Sequence, residues 1–456
     1  VKAEDLSGRS VAVVGSGVAG LMAAYVLSAR NRVTLYEADT RLGGHAHTHV
    51  IDRGDGDVIG VDSAFLVHND RTYPTLCRLF SELDIDTHDT DMSMSVSVRR
   101  AGAQRLGGLS RRAGAERLGG LGLEYAGARG IGGLFPSLTN LARPRYLRML
   151  VEVRRFHREA TLLLDSDSAD EDADETLGSF VARQNFSPYF IEHFMTPLVA
   201  AVWSCAPEDA MRYPARYLFV FLQHHGMLSV FGSPTWRTVV GGSATYVEAI
   251  AQRIHEVSLG TPVRSVRRVP DGVQISVGDG APRQFDGAVI ATHPHQALRM
   301  LAEPTAAQRM ILGAIGYSTN HAQLHTDESV LPRRPRARAS WNYLATPDTD
   351  RVLVTYDITR LMGLPGPGRY LVTLGGKDHV DPASVIAEMT YEHPLYSPES
   401  VAAQALLPTI DDDRLAFAGA YHGWGFHEDG AASGLRAAER LGAEWSVATK
   451  LESVPC

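Results

Sequence analysis

Residues 11–44 read VAVVGSGVAGLMAAYVLSARNRVTLYEADTRLGG. The short apolar run Val11–Val14 has the length and β-branched content of a buried strand. Gly15, Gly17 and Gly20 follow at G-x-G-x-x-G spacing, and the Ala-rich stretch Leu21–Ala29 has helical character. A second strand, Val33–Tyr36, ends at Glu37. Strand, turn, helix, strand and acid in that order describe a βαβ unit built to hold a dinucleotide. Gly15 permits the tight turn, Gly17 lets the backbone approach a pyrophosphate, and Gly20 lets the helix lie close to the sheet. With Val18 and Ala19 they bring the N–H groups and positive dipole end of the helix to the phosphates. Glu37, followed by Ala38, can accept hydrogen bonds from a ribose 2′-hydroxyl. Its charge would repel a 2′-phosphate, which disfavours NADP.

The fingerprint alone does not separate NAD from FAD. Glu37-Ala38-Asp39 followed by Arg41-Leu42-Gly43-Gly44 resembles the second phosphate-side loop of FAD-dependent, amine-oxidase-like flavoproteins. In that loop the Arg and the glycines lie along the pyrophosphate and flavin.

Composition narrows the class. A chain of 456 residues is too long for one simple core, so two or more intertwined domains are expected. The net charge is −8 with no basic stripe, which argues against a nucleic-acid partner. Cys77, Cys205 and Cys456 form neither a metal spacing nor a disulfide framework, which suits a reducing cytoplasm. Val1–Arg9 is polar and does not read as a signal peptide. No apolar run reaches the length of a membrane span.

Nucleotide-binding character recurs at three places. The first is the opening unit. The second runs from Trp236 to Leu298, with Thr238–Ser243, a helix over Tyr246–His255, a strand over Val263–Val269 and a strand closing on Ala288–Pro294. The third is Arg414–Gly442, where the strand Leu415–Ala418 leads through a Gly-rich loop into a helix over Ala431–Leu441. The expected fold is α/β: a doubly wound, Rossmann-like FAD-binding domain in three segments (1–63, 231–299 and 406–456). An α+β substrate domain (64–230 and 300–405) is inserted between them. The first insertion reads as helical near Tyr73–Leu83 and Pro144–Leu164, the second as sheet near Arg351–Tyr356 and Tyr370–Leu374. A twelve-residue tandem repeat, RRAGAQRLGGLS then RRAGAERLGGLG over residues 99–122, reads as a surface insert. The acidic run Asp165–Glu175 reads as a solvated loop.

Longer motifs carry a resemblance that runs nearly end to end. They include Arg41–Thr48 (RLGGHAHT), Val61–Val67 (VDSAFLV), Asn69–Leu76, Asp91–Val96 (DMSMSV), Gly122–Tyr125, Ala339–Tyr343 (ASWNY), Val354–Asp357 and Gly423–Gly430 (GWGFHEDG). The chain resembles the FAD-dependent, amine-oxidase-like oxidoreductases found beside bacterial cyclopropane-fatty-acid synthases. The resemblance implies FAD as cofactor, a lipid acyl chain as substrate, and a methyltransferase or acyl-carrier partner. Peripheral membrane contact is compatible with it.

The same resemblance places the last Gly-rich loop over the flavin. Gly419 follows the strand end, and Glu428, Asp429, Gly430 and Ala431 present N–H groups at the start of the last helix. Val263 and Ala291, at strand ends of the middle segment, complete the cofactor set with His45. Trp424 and Phe426, with Trp341 and Asn342, are candidates for an apolar substrate wall. Tyr421, Tyr343 and His427 are candidates for proton transfer. His45, His47 and His49 alternate along an apparent strand and would share a face. No acidic or Cys partner is placed beside them, so no metal is expected. Residues 300–330 hold no lysine where many amine oxidases place one near the flavin, which weakens a simple amine oxidase reading. Tyr217–Leu228 could line a chain-binding tunnel or form a buried helix. The function expected is hydride removal from carbon of an apolar, acyl-like substrate. Double-bond isomerisation and amine oxidation are the alternatives.

Overall fold

The computed structural model describes residues 8–99, 122–127, 129–166, 175–228, 233–346 and 353–445. Nearly all of the 99–122 repeat and most of the acidic run Asp165–Glu175 lie outside the described residues, as do Arg351 and Val352.

The opening unit forms as its pattern dictates. The strand Ser10–Val14 leads through Gly15 and Gly17 into the helix Val18–Ser28 and back to the strand Arg32–Tyr36. The helix starts at Val18, before the apolar run from Leu21, because Gly17 already serves as its N-cap. These two strands lie in a five-stranded, all-parallel sheet. In spatial order its strands are Glu256–Ser258, Arg32–Tyr36, Ser10–Val14, Gly287–Ile290 and Leu415–Phe417. Strand alternation sends Val11 and Val13 to one face and Ala12 and Val14 to the other. The first face packs on the helices Val18–Ser28, Ala244–Ala251 and His427–Arg440. The second packs on the antiparallel meander of residues 263–285 and the helices Pro294–Met300 and Ala306–Gly313. Both faces are covered, which is why these strands read as unbroken apolar runs.

A seven-stranded mixed sheet stands beside it, in the order 385–394, 317–325, 371–374, 353–357, 341–345, 94–98, 123–126. A helical layer packs against this platform. Its helices include Pro144–Asp165, Thr196–Trp203 and Ala215–His224, around Phe156, Phe180, Phe190 and Phe219. The stretch Tyr217–Leu228 thus forms mostly a packed helix, with Phe221 and Met227 reaching a cavity wall. The strand Trp236–Val239 joins neither large sheet. It pairs antiparallel with His68–Asn69 and Thr87–Asp89.

The last helix begins at His427, four residues before the expected Ala431. Asp429 makes this early start: its carboxylate accepts from the Phe426 N–H at 2.9 Å and caps the first turn. Among the described residues, no helix is long and apolar enough to cross a membrane.

The first and last helices cross in close contact. A Cβ on Gly434 would lie 2.1 Å from the Ala19 carbonyl oxygen, and one on Gly430 would lie 2.6 Å from Val18. Gly434→Val is therefore expected to destabilise the fold by about 2–3 kcal/mol, seen as a lower urea midpoint. An exposed control such as Gly280→Ala should leave the midpoint unchanged.

Candidate active site

The loop between the first strand and helix is shaped by two different glycine requirements. Gly15 has φ +97°, and a Cβ there would sit 2.8 Å from the Ala291 carbonyl oxygen. Gly17 has ordinary backbone angles, and a Cβ there would meet nothing within 4 Å. Open space thus lies directly over the start of the helix, where no side chain caps the first-turn N–H groups. That is the form of an anion cradle. Beside it, Glu37 Oε2 accepts from the Ser16 N–H at 2.8 Å and from Ser16 Oγ at 2.5 Å, while Oε1 accepts from the Asp39 N–H at 2.8 Å. The carboxylate is fixed in place before any ligand arrives.

The cradle opens into a cavity of about 660 Å³. Gly15, Gly17, Val18, Ala19, Glu37, Ala38, Gly44, His45, Val263, Ala291 and Gly419 all line it. So do Trp341, Trp424, Phe426 and His427. The fold therefore gathers residues from every third of the chain onto one wall. Aromatic contacts make that wall continuous: Trp203 to Phe221 at 4.7 Å, Phe221 to Phe426 at 4.8 Å, and Trp341 to Tyr356 at 5.3 Å between ring centroids.

Other candidate residues support this wall without facing the cavity. Gly20 is locked against the Gly15 carbonyl, and Ala431 is fully buried. Gly43 donates its N–H to the Ser16 carbonyl at 3.0 Å. Arg41 clamps its own loop, giving hydrogen bonds to the Gly44 carbonyl at 2.8 Å and the Ala46 carbonyl at 3.4 Å. Glu428 turns away and accepts from the N–H groups of Thr75 and Leu76, capping the helix Pro74–Glu82.

Three candidates sit off the cavity. Tyr421 is buried behind the parallel sheet, with its ring over Gly419. Asn342 points to the face of the platform opposite Trp341 and bonds Ser95, Ala339 and Thr355. Tyr343 packs into the core of the helical layer. The period of two in the strand Trp341–Ala345 explains the turn from Trp341 to Asn342.

The three alternating histidines do not share a face, because the strand starts only at Thr48. The His47 and His49 rings lie 4.1 Å apart, whereas His45 packs on Tyr391 at 4.9 Å and His393 at 5.4 Å. Three ligand-type groups do converge elsewhere: His293, His295 and Glu392 bring their donor atoms within 4.8 Å. Glu392 is already engaged there, accepting from His293 Nδ1 at 2.7 Å.

Several wall residues were not among the site candidates that the sequence offered. Tyr391 and His393 reach the wall as alternate residues of one strand. Ser63 to Val67 reach it because the buried Asp62 accepts from the N–H and hydroxyl of Ser243 and from Thr48 Oγ, fixing that segment. Tyr391 Oη lies 2.6 Å from Ser63 Oγ and 3.0 Å from His47 Nδ1.

Five histidines line the cavity, and all are held neutral near pH 7. Burial pushes His45 well below its usual range, His393 and His225 to about 4, and His427 to about 3. Burial lowers His293 too, against the pull of Glu392. His427 Nε2 meets Tyr246 Oη at 3.0 Å, and its ring stacks on Phe65 at 3.8 Å. Among the described residues the cavity wall contains no lysine.

A dinucleotide cradle joined to an aromatic chamber defines a flavoprotein oxidoreductase. The model of the flavin-containing amine oxidoreductase family matches residues 18–382, and the chain belongs to that family. It is 26% identical over 310 residues to (S)-6-hydroxynicotine oxidase of Paenarthrobacter nicotinovorans, a match covering 65% of this chain and 63% of that one. The chain thus matches under two thirds of that relative's length. Solved structures share the fold. A redesigned putrescine oxidase superposes with a TM-score of 0.65 at 14% identity, over 95% of this chain and 98% of its own. A fatty acid isomerase from P. acnes that produces CLA gives 0.64 at 15% identity, over 95% and 98%.

The cofactor is FAD, and the chemistry of the site fits it. The open space over Gly17 admits a pyrophosphate, and Glu37 suits a ribose diol. Among the described residues, buried His45 Nε2 and Trp341 Nε1 have no hydrogen-bond partner, on side chains that line the cavity. Gly17→Ala should fold normally, since the added Cβ meets nothing within 4 Å, yet lose FAD affinity in a fluorescence titration because that Cβ takes the space over the helix start. Glu37→Gln should weaken FAD about ten- to a hundredfold, the loss of a charge-assisted bond of roughly 1.5–3 kcal/mol.

Proposed function

We propose that the protein removes a hydride from carbon of an apolar, acyl-chain-like substrate, with FAD bound along the cradle. FAD, when bound, supplies the two-electron acceptor. Molecular oxygen or an electron carrier takes those electrons onward. If the hydride returns to a different carbon, the same site isomerises a double bond.

The observation that carries this reading is the aromatic chamber. Trp203, Phe221, Trp341, Tyr356, Trp424 and Phe426 supply a flat, apolar wall, extended by Met92 and Met227. The two glutamates of the cavity are both engaged, Glu37 by the glycine loop and Glu392 by His293. Neutral histidines complete the wall beside these aromatic rings, and the two carboxylates are held by hydrogen bonds instead of standing free for an ammonium group. Tyr391, held by Ser63 and His47, is the wall tyrosine whose hydroxyl is set in a polar chain suited to moving a proton. The long motifs shared with the cyclopropane-synthase-associated group support an acyl chain and a methyltransferase or acyl-carrier partner.

Amine oxidation is the second reading. Family membership and the match to an oxidase of 6-hydroxynicotine favour it, and aromatic faces also attract cations. Anaerobic mixing of the yellow protein with unsaturated, methylated or cyclopropane acyl lipids, and separately with amines, discriminates the two. Bleaching of the flavin by a lipid is the expected result. Bleaching by amines alone would sink the acyl reading. Phe221→Ala is expected to raise KM for the lipid about tenfold, with kcat changed less. It removes apolar contact worth about 1.5–3 kcal/mol.

A further inference from the structure

Large apolar side chains exposed on the described surface are not spread evenly. Five of thirteen lie within residues 131–151: Ile131, Leu138, Leu141, Leu147 and Val151. Ile131 is 80% exposed, Leu138 82% and Val151 69%. Hydrogen bonds join the elements that carry them into one surface. Tyr146 Oη donates to the Leu134 carbonyl at 2.7 Å, and Asn140 Nδ2 donates to the carbonyls of Glu124 at 3.0 Å and Leu134 at 3.4 Å. The short helix Gly130–Leu134, the turn Leu138–Asn140 and the start of the long helix Pro144–Asp165 are thereby held together.

The long helix has two apolar faces with different neighbours. Tyr146, Met149, Phe156, Ala160 and Leu163 are buried against the helical layer. On the outer face Leu147, Val151, Arg154 and Arg158 recur at three- and four-residue spacing, with Arg148 beside them. Residues 129–162 hold seven arginines and two glutamates in a chain whose net charge is −8. Of the two glutamates, Glu152 is buried. No carboxylate among the described residues forms an ion pair with Arg145 or Arg154, and both are exposed. Apolar side chains interleaved with arginine on one helix face, rimmed by more apolar residues, suit the boundary between headgroups and acyl chains.

We propose that this surface docks the protein on an anionic lipid bilayer, with Ile131, Leu138, Leu141, Leu147 and Val151 entering the interface and the arginines pairing with lipid phosphates. Charge complementarity selects this occupant. Arg129, Arg148 and Arg158 are paired with Asp91, Glu152 and Glu159, yet the patch keeps Arg145 and Arg154 exposed in an acidic protein, so a second copy would meet like charge on a self-complementary face. Asp165 ends the helix, about 32 Å from Pro144 at 1.5 Å per residue. The helix therefore docks by its first half. That helix also carries the cavity: Phe156 packs on Phe219 at 5.3 Å, and the helix of Phe219 supplies Phe221 to the cavity wall. The docking surface stands whether or not the substrate is an acyl chain.

The test is co-sedimentation of the FAD-loaded protein with vesicles of phosphatidylcholine, alone and mixed with phosphatidylglycerol. The expected result is binding to the mixed vesicles, little to the neutral ones, and weakening by salt. Leu138→Asp/Val151→Asp and Arg145→Glu/Arg154→Glu should each reduce binding at least tenfold. Flavin spectrum and melting temperature should stay unchanged in both, since all four side chains are exposed. Wild-type protein left in the supernatant would overturn the proposal. So would equal binding by both variants, or a concentration-dependent dimer in light scattering that these variants dissolve. Because the readout is sedimentation, failure here leaves the flavin-bleaching result standing, and the reverse holds too.

Discussion

The closeness of two helices governs this molecule. The first helix can present its N-terminus to a phosphate only if its flank is covered. The last helix covers it at backbone distance, through Gly430 and Gly434 against Val18 and Ala19. Any side chain at those glycines would push the helices apart. The last helix so held brings His427 and Phe426 to the same cavity wall that Gly17 lines. Asp429 contributes by capping the last helix. Burial raises the Asp429 pKa to about 7, a cost offset in part by the backbone N–H groups it accepts. Binding geometry and helix packing are therefore one constraint.

Suppression of histidine charge is the second organising property. The cavity wall gathers five histidines, and burial keeps each in its uncharged form. The carboxylate groups that reach the wall are tied to near neighbours. The histidines thus serve as hydrogen-bonding surface instead of charge beside the aromatic chamber.

What the sequence discloses follows from how local each requirement is. Phosphate binding at a helix start needs glycines at fixed spacing, so Gly15, Gly17, Gly20 and Glu37 announce themselves within a few residues. The parallel strands read easily because both faces are buried. The exact start of the last helix at His427 is harder, since the capping bond from Asp429 to the Phe426 N–H that sets it is not written in the spacing. Trp341, Trp424 and Phe426 are legible in their motifs, but the rest of the chamber has no local grammar. Trp203 and Phe221 come from helices with ordinary core patterns, and Tyr391 comes from an edge strand. They meet only through tertiary packing. Tyr421 shows the opposite error: it sits in a loop full of glycines and aromatics, yet its ring fills the space behind the sheet. Neighbours in sequence did not become neighbours in the cavity.

The crossing of the first and last helices also has a consequence in time. Ribosomes add residues at about 5–20 per second, so some 20 seconds to over a minute separate the synthesis of Ala19 from that of Gly434. Through that interval the apolar flank of the opening βαβ unit has no permanent cover. The parallel sheet is likewise short of its final strand, Leu415–Phe417. The opening unit therefore carries an uncovered apolar flank until Gly434 has been added, and the cofactor cradle closes only after the last helix has packed.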